Sequence, residues 1–117
     1  MVTNNGNRMV SNVSRKRDSV FRAISDPTRR EILGILRTGS HSVGEIAQNF
    51  RMSRPAISKH LRVLHTAGLV STRRHGTQTR CQLNAAPLVG VRDWLREYES
   101  FWKDSLEGLK RHLEENK

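Results

Sequence analysis

The chain has 117 residues, with 21 Lys and Arg against 11 Asp and Glu, and a single cysteine, Cys81. That length supports one domain with a modest core and excludes two independent ones; the formal net charge of +10 favours an anionic partner. A lone thiol leaves no intrachain disulfide and makes the cytoplasm the natural compartment, and no stretch approaches the roughly 20 apolar residues of a membrane span.

Residues 1–13 read as a disordered polar tail without the apolar run of a signal peptide, and residues 14–117 as the domain. A first helix is expected from about Ser14 to Ser25, with Val20, Phe21 and Ile24 on one side. Asp26 and Pro27 restart the chain: Asp is a good N-cap, and Pro suits the first helical position, where its missing N–H has no partner to lose. The second helix, to about Arg37, buries Ile32, Leu33, Ile35 and Leu36, and Gly39 suits its C-terminal cap.

Ser42 and Glu45 have the spacing of a capping box, and the helix they open turns Val43, Ile46, Ala47 and Phe50 inward. Arg51 and Met52 make a short turn, and Ser53 caps the next helix. There Ile57, Leu61 and Leu64 form an apolar stripe at helical spacing, opposite Pro55, Ser58, Lys59, Arg62 and Thr66. Residues 42–67 thus have the organisation of a helix-turn-helix, ended by Gly68. Leu69 to His75 and Thr77 to Leu83 alternate like two strands, with a tight turn near His75 and Gly76. This hairpin, residues 69–83, is the wing.

One long helix is expected over 86–115. Leu88, Val91, Leu95, Tyr98, Trp102, Leu106, Leu109 and Leu113 recur at spacings of three and four, a seam of about seven turns. A small three-helix core cannot cover it, and a second copy of the chain can. Gly90 and Gly108 weaken that helix by roughly 1 kcal/mol each and permit close approach of a neighbour. The fold class is therefore mainly α with a small β-hairpin (α+β), a winged helix-turn-helix with a long C-terminal dimerisation helix.

Charge points to the partner. Between Ile46 and Arg92 there is no acidic residue, while Arg51, Arg54, Lys59, Arg62, Arg73, Arg74, Arg80 and Arg92 all fall there. A single-sign face on an amphipathic helix suits a polyanion, and a major groove about 12 Å wide admits one helix. We assign Arg54, Ser58 and Lys59 to base or near-base contact, Arg62 to phosphate, and Pro55 and Ala56 to a thymine methyl, with Ser53 at the same helix end. Arg80 joins the basic hairpin tip. Solvated surface and a protein-interaction face for an acidic partner are the competing readings. No nucleophile–base constellation is present, so no enzymatic activity is expected.

The runs Asp26-Pro27-Thr28-Arg29-Arg30-Glu31-Ile32-Leu33, Ser42-Val43-Gly44-Glu45-Ile46-Ala47, Ser53 through Leu64 and Ala67-Gly68-Leu69-Val70 resemble, in order, the ArsR/SmtB winged-helix repressors. The resemblance covers about residues 15–115 and is nearest to SdpR-type members, which lack a metal site. It implies a homodimer formed by the first and last helices, which assigns Val20, Phe21, Ile24, Leu95, Tyr98, Trp102, Leu106, Leu109 and Leu113 to the interface. It also implies repression from a palindromic double-stranded operator, with Arg73, Arg74 and His75 of the wing on backbone or minor groove. Metal sensing, common among such proteins, lacks its ligands here: residues 42–50 hold no Cys or His, and near the C-terminus only His112 and Glu115 have a suitable spacing. Two ligands do not close a tetrahedral site, so neither metal nor cofactor is expected. A metal- or redox-responsive variant, the latter through Cys81, is the alternative.

Overall fold

A computed structural model of the chain describes residues 3–115, with side chains from Ser14 onward. Nine elements follow in order: α1 (Thr3–Ile24), α2 (Pro27–Leu36), β1 (His41–Ser42), α3 (Val43–Ala47), α4 (Arg54–Thr66), β2 (Val70–His75), β3 (Gln78–Leu83), α5 (Leu88–Arg96) and α6 (Glu99–Glu115). The architecture is a mainly helical winged helix-turn-helix with a small antiparallel sheet of order β1-β3-β2.

Most element boundaries have local causes. The Asp26 carboxylate accepts the Arg29 N–H at 3.0 Å, with Pro27 opening α2. Ser42 and Glu45 make both bonds of the capping box, the Ser42 hydroxyl accepting the Glu45 N–H at 3.1 Å and the Glu45 carboxylate accepting the Ser42 N–H at 2.9 Å. The Ser53 hydroxyl accepts the Ala56 N–H at 3.2 Å and starts α4. That helix stops in a Schellman motif: Leu69 N–H reaches the Leu64 carbonyl at 2.9 Å, Gly68 N–H reaches that of His65 at 3.0 Å, and Gly68 takes φ +79°. Leu69, fully buried, is thereby aimed into the core as the wing begins. At the hairpin, Gly76 has φ +62° and Thr77 does not cross into positive φ, the pattern of a type II′ turn.

The core joins Val20 and Ala23 of α1, Ile32 and Leu36 of α2, Ile46 of α3, Ile57, Leu61 and Leu64 of α4, and Leu69, Val70 and Cys81 of the wing. Burying such side chains is worth roughly 1.5–3 kcal/mol each, and this cluster binds the helix-turn-helix to both α1 and the sheet.

Four expectations need correction. Helix α1 begins at Thr3, well ahead of the start expected near Ser14 (residues 1 and 2 lie outside the described residues); residues 3–13 hold no proline, and a nucleated helix extends at little cost per residue. A third strand, β1, pairs with β3 through His41↔Cys81 and Ser42↔Arg80; two residues are too few to show a period. The C-terminal helix is two helices. At the break, Glu97, Tyr98 and Phe101 N–H groups bond to carbonyls three residues back, at 3.2, 3.0 and 3.0 Å, a tightening that reorients the chain. Phe21 meets Trp94 edge-on at 5.2 Å and Trp94 meets Tyr98 at 5.0 Å, so this ring cluster holds α5 to α1. Beyond it α6 leaves the domain. Val20, expected at the dimer interface, is instead 3% exposed within the core, because Val20 and Ala23, three apart, share the inward stripe of α1 while Phe21 flanks it.

Candidate nucleic-acid interface

Helix α4 is 13 residues long, about 20 Å, and its buried stripe leaves one face to solvent. Ser53, Arg54, Pro55, Lys59 and Arg62 are exposed on or beside that face, and Ala56 and Ser58 are half-buried. Helix α3 sits against it closely enough that a Cβ on Gly44 would lie 3.5 Å from Arg54 Nη2. The Arg54 guanidinium therefore lies against the first turn of α3, and Arg51 in the α3–α4 turn, which the sequence reading left unassigned, is exposed as well.

The wing adds Arg73, Arg74 and His75, all exposed. Cross-strand partners share a face, so Arg73, opposite Arg80, and His75, opposite Gln78, project from one side of the hairpin. Arg74, opposite Thr79, projects from the other. Among the described residues, no carboxylate lies within ion-pair distance of Arg54, Lys59, Arg62, Arg73 or Arg74. Helix and hairpin thus hold five uncompensated cations.

Arg80 is placed differently. Its Nη2 donates to the Ser40 carbonyl at 2.7 Å, its Nε to the Ser40 hydroxyl at 3.0 Å, and its Nη1 to Gln78 Oε1 at 3.0 Å and to Glu45 Oε1 at 3.2 Å. The guanidinium ties β3 to the start of α3 and does not point from the hairpin tip. Glu45 is held below the usual carboxylate range by the Ser42 N–H first, then by the Ser42 hydroxyl and Arg80.

The apolar residues assigned to a dimer interface divide. Ile24 packs partly against the core and Phe21 against Trp94. Leu95, Tyr98, Trp102, Leu106, Leu109 and Leu113 are all exposed, with Leu113 60% open; Val89 and Phe101, the latter 82% open, join them. Gly90 lies beneath Arg17 of α1, a Cβ there falling 3.7 Å from its Cγ, whereas nothing approaches Gly108 within 4 Å. Cys81, on β3, is buried, and burial pushes its thiol up. Among the described residues no group of three His, Cys, Asp or Glu side chains is arranged to hold a metal ion, and no helix is long and apolar enough to cross a membrane.

A short helix-turn-helix, a basic recognition helix and a cationic hairpin beside it define a winged helix-turn-helix DNA-binding regulator of transcription. Residues 26–72 match the family described as bacterial regulatory protein, arsR family, and the chain belongs to the ArsR family. It is similar to the transcriptional repressor SdpR of Bacillus subtilis, at 41% identity over 69% of this chain and 90% of that protein. An HTH-type transcriptional regulator of Mycobacterium tuberculosis is 40% identical over 80% of this chain and 85% of its own. Among solved structures, an ArsR-like transcriptional regulator from Rhodococcus superposes with a TM-score of 0.67 at 33% identity, covering 86% of this chain and 94% of that one. These relatives are named as regulators of transcription, not as enzymes.

Proposed function

We infer that this regulator is a homodimeric repressor of a palindromic operator. The observation that carries the reading is the set of five uncompensated cations, Arg54, Lys59, Arg62, Arg73 and Arg74, on α4 and the wing. In this reading α4 enters the major groove, where Arg54, Ser58 and Lys59 meet base edges, Pro55 and Ala56 meet a thymine methyl, and Ser53 and Arg62 meet phosphate. Arg73, Arg74 and His75 follow the adjoining backbone or minor groove. Arg80 is left out of the contact set, since its donors are occupied within the domain.

The apolar stripe from Leu95 to Leu113 supports the dimer: an exposed row of this extent is covered in solution by another surface, and a second copy supplies a self-complementary one. Two-fold symmetry in the protein asks for two-fold symmetry in the DNA, with half-sites about 34–36 Å apart. Repression is suggested by the relative named a repressor. A protein with this partner works in the cytoplasm, where its buried thiol stays reduced.

The test is selection of duplexes from a random-sequence pool by the purified protein, followed by titration at several salt concentrations and sedimentation of the complex. An inverted repeat bound by two chains is expected. If the two chains neutralise about eight phosphates, log K against log salt has a slope near −7. A monomer on DNA, or enrichment of no sequence, would falsify the reading.

A further inference from the structure

Behind the DNA-facing side of α4, three side chains from two parts of the chain converge: Asp26 and Arg29 at the start of α2, and His60 on α4. Arg29, in the first turn of α2, donates from Nε to the Ala23 carbonyl at 2.7 Å and from Nη2 to the Arg22 carbonyl at 2.9 Å. These carbonyls belong to the last turn of α1, where a cation is favoured; the Arg22 carbonyl also accepts from the Ser25 hydroxyl at 2.7 Å. The third arm, Nη1, lies 3.2 Å from His60 Nδ1 on α4. A guanidinium only donates, so in this contact Nδ1 is the acceptor. Asp26, whose Oδ2 accepts the Arg29 N–H, stands 3.8 Å from the same His60 nitrogen.

One planar group therefore ends α1, sits at the start of α2 and reaches the middle of α4. The fork is rigid, so the directions of its three arms are linked. A tilt of about 10° at His60 moves the N-terminal end of α4, roughly 10 Å away, by about 2 Å. A hydrogen bond to a base edge tolerates far less.

We propose that Arg29, seated on His60, is a positioning residue for DNA recognition: it sets the tilt of α4 against the α1–α2 corner and touches no DNA. The proposal rests on the reading that α4 enters the groove. It extends that reading to residues on the opposite side of the helix.

The experiment uses the full chain and two probes, a duplex enriched from a random pool by the wild-type protein and a scrambled duplex of equal length. Arg29→Lys keeps the charge and loses the fork; His60→Ala removes the acceptor; His60→Gln restores one through its amide oxygen. Variants are compared at equal folded fraction by circular dichroism, and should Arg29→Lys not fold, the His60 pair decides. Arg29→Lys and His60→Ala are each expected to weaken the enriched duplex about tenfold, with the scrambled duplex and the salt slope unchanged and His60→Gln recovering most of the loss. Equal losses on both duplexes, with a salt slope shallower by about two (one phosphate contact per chain), would make Arg29 a phosphate ligand and overturn the proposal. Wild-type affinity in His60→Ala, or no recovery in His60→Gln, overturns it too. Failure of the wild type to enrich any sequence removes base reading by α4 itself, an outcome distinct from the others.

Discussion

From Ser53 to His75 the side chains left open by α4 and the wing include five cations without a carboxylate partner; from Leu95 to Leu113 those left open by α5 and α6 are mostly Leu, Tyr, Phe and Trp. Both regions are amphipathic helices at their base, so the difference is in what each uncovered face requires. Uncompensated charge is tolerated in water, where solvent screens it, and gains when a polyanion replaces counterions. Uncovered apolar surface gains on any burial, whatever the partner's charge. The first face therefore selects a partner by sign and the second by shape. Their separation is built into the architecture: the Cα radius of gyration is 18.7 Å, against about 13 Å for a compact chain of this length, because the terminal helices extend away from the winged helix.

The sharpest way to break this contrast is to charge the apolar face. Leu106→Glu with Leu109→Glu is expected to leave the winged helix folded, since neither residue joins the core. It should abolish chain pairing in sedimentation and cut operator affinity by about 100-fold or more, through loss of the linked second half-site. Retained pairing would move the interface to α1 and α5 alone. Next come Arg54→Ala and Lys59→Ala, each expected to cost roughly 1–3 kcal/mol on the operator and little on scrambled DNA, measured by fluorescence anisotropy. Equal losses on both would reassign these residues to the backbone.

Arg74→Ala should have a smaller, uniform effect on all sequences, with the salt slope shallower by about two, one lost phosphate contact per chain. Arg80→Ala serves as its control: with its donors turned inward, it should leave that slope unchanged and lower the melting temperature instead. The smallest effect is in acid. Glu45 titrates below its ordinary value of 4.5 in the folded protein, so its stabilisation is present above pH 4.5 and is lost as pH falls through the depressed value. Melting in Glu45→Gln should show a shallower decline below pH 4.5 than wild type. Identical acid profiles would mean that the Ser42 and Arg80 partners do not act on this carboxylate.

Much of this organisation is written in neighbouring residues. Asp26 with Pro27, Ser42 with Glu45, Ser53 before Arg54, Gly68 after α4 and Gly76 in the hairpin each act on groups within about five positions, so the amino-acid order alone set the boundaries of the helix-turn-helix and wing. The stripe of Ile57, Leu61 and Leu64 likewise chose the buried side of α4, and with it the cationic side. What tertiary structure decided concerns partners far apart in the chain. Arg80 pairs with Ser40 and Glu45 across 40 and 35 positions, and Arg29 with His60 across 31. No local pattern records such meetings, so Arg80 read as one more wing cation and the Arg29–His60 contact was not anticipated. The break between α5 and α6 has the same origin, since Arg96 to Glu99 contains neither proline nor glycine. Periodicity carries the apolar seam straight through, whereas packing on α1 reaches only as far as the rings of Phe21, Trp94 and Tyr98.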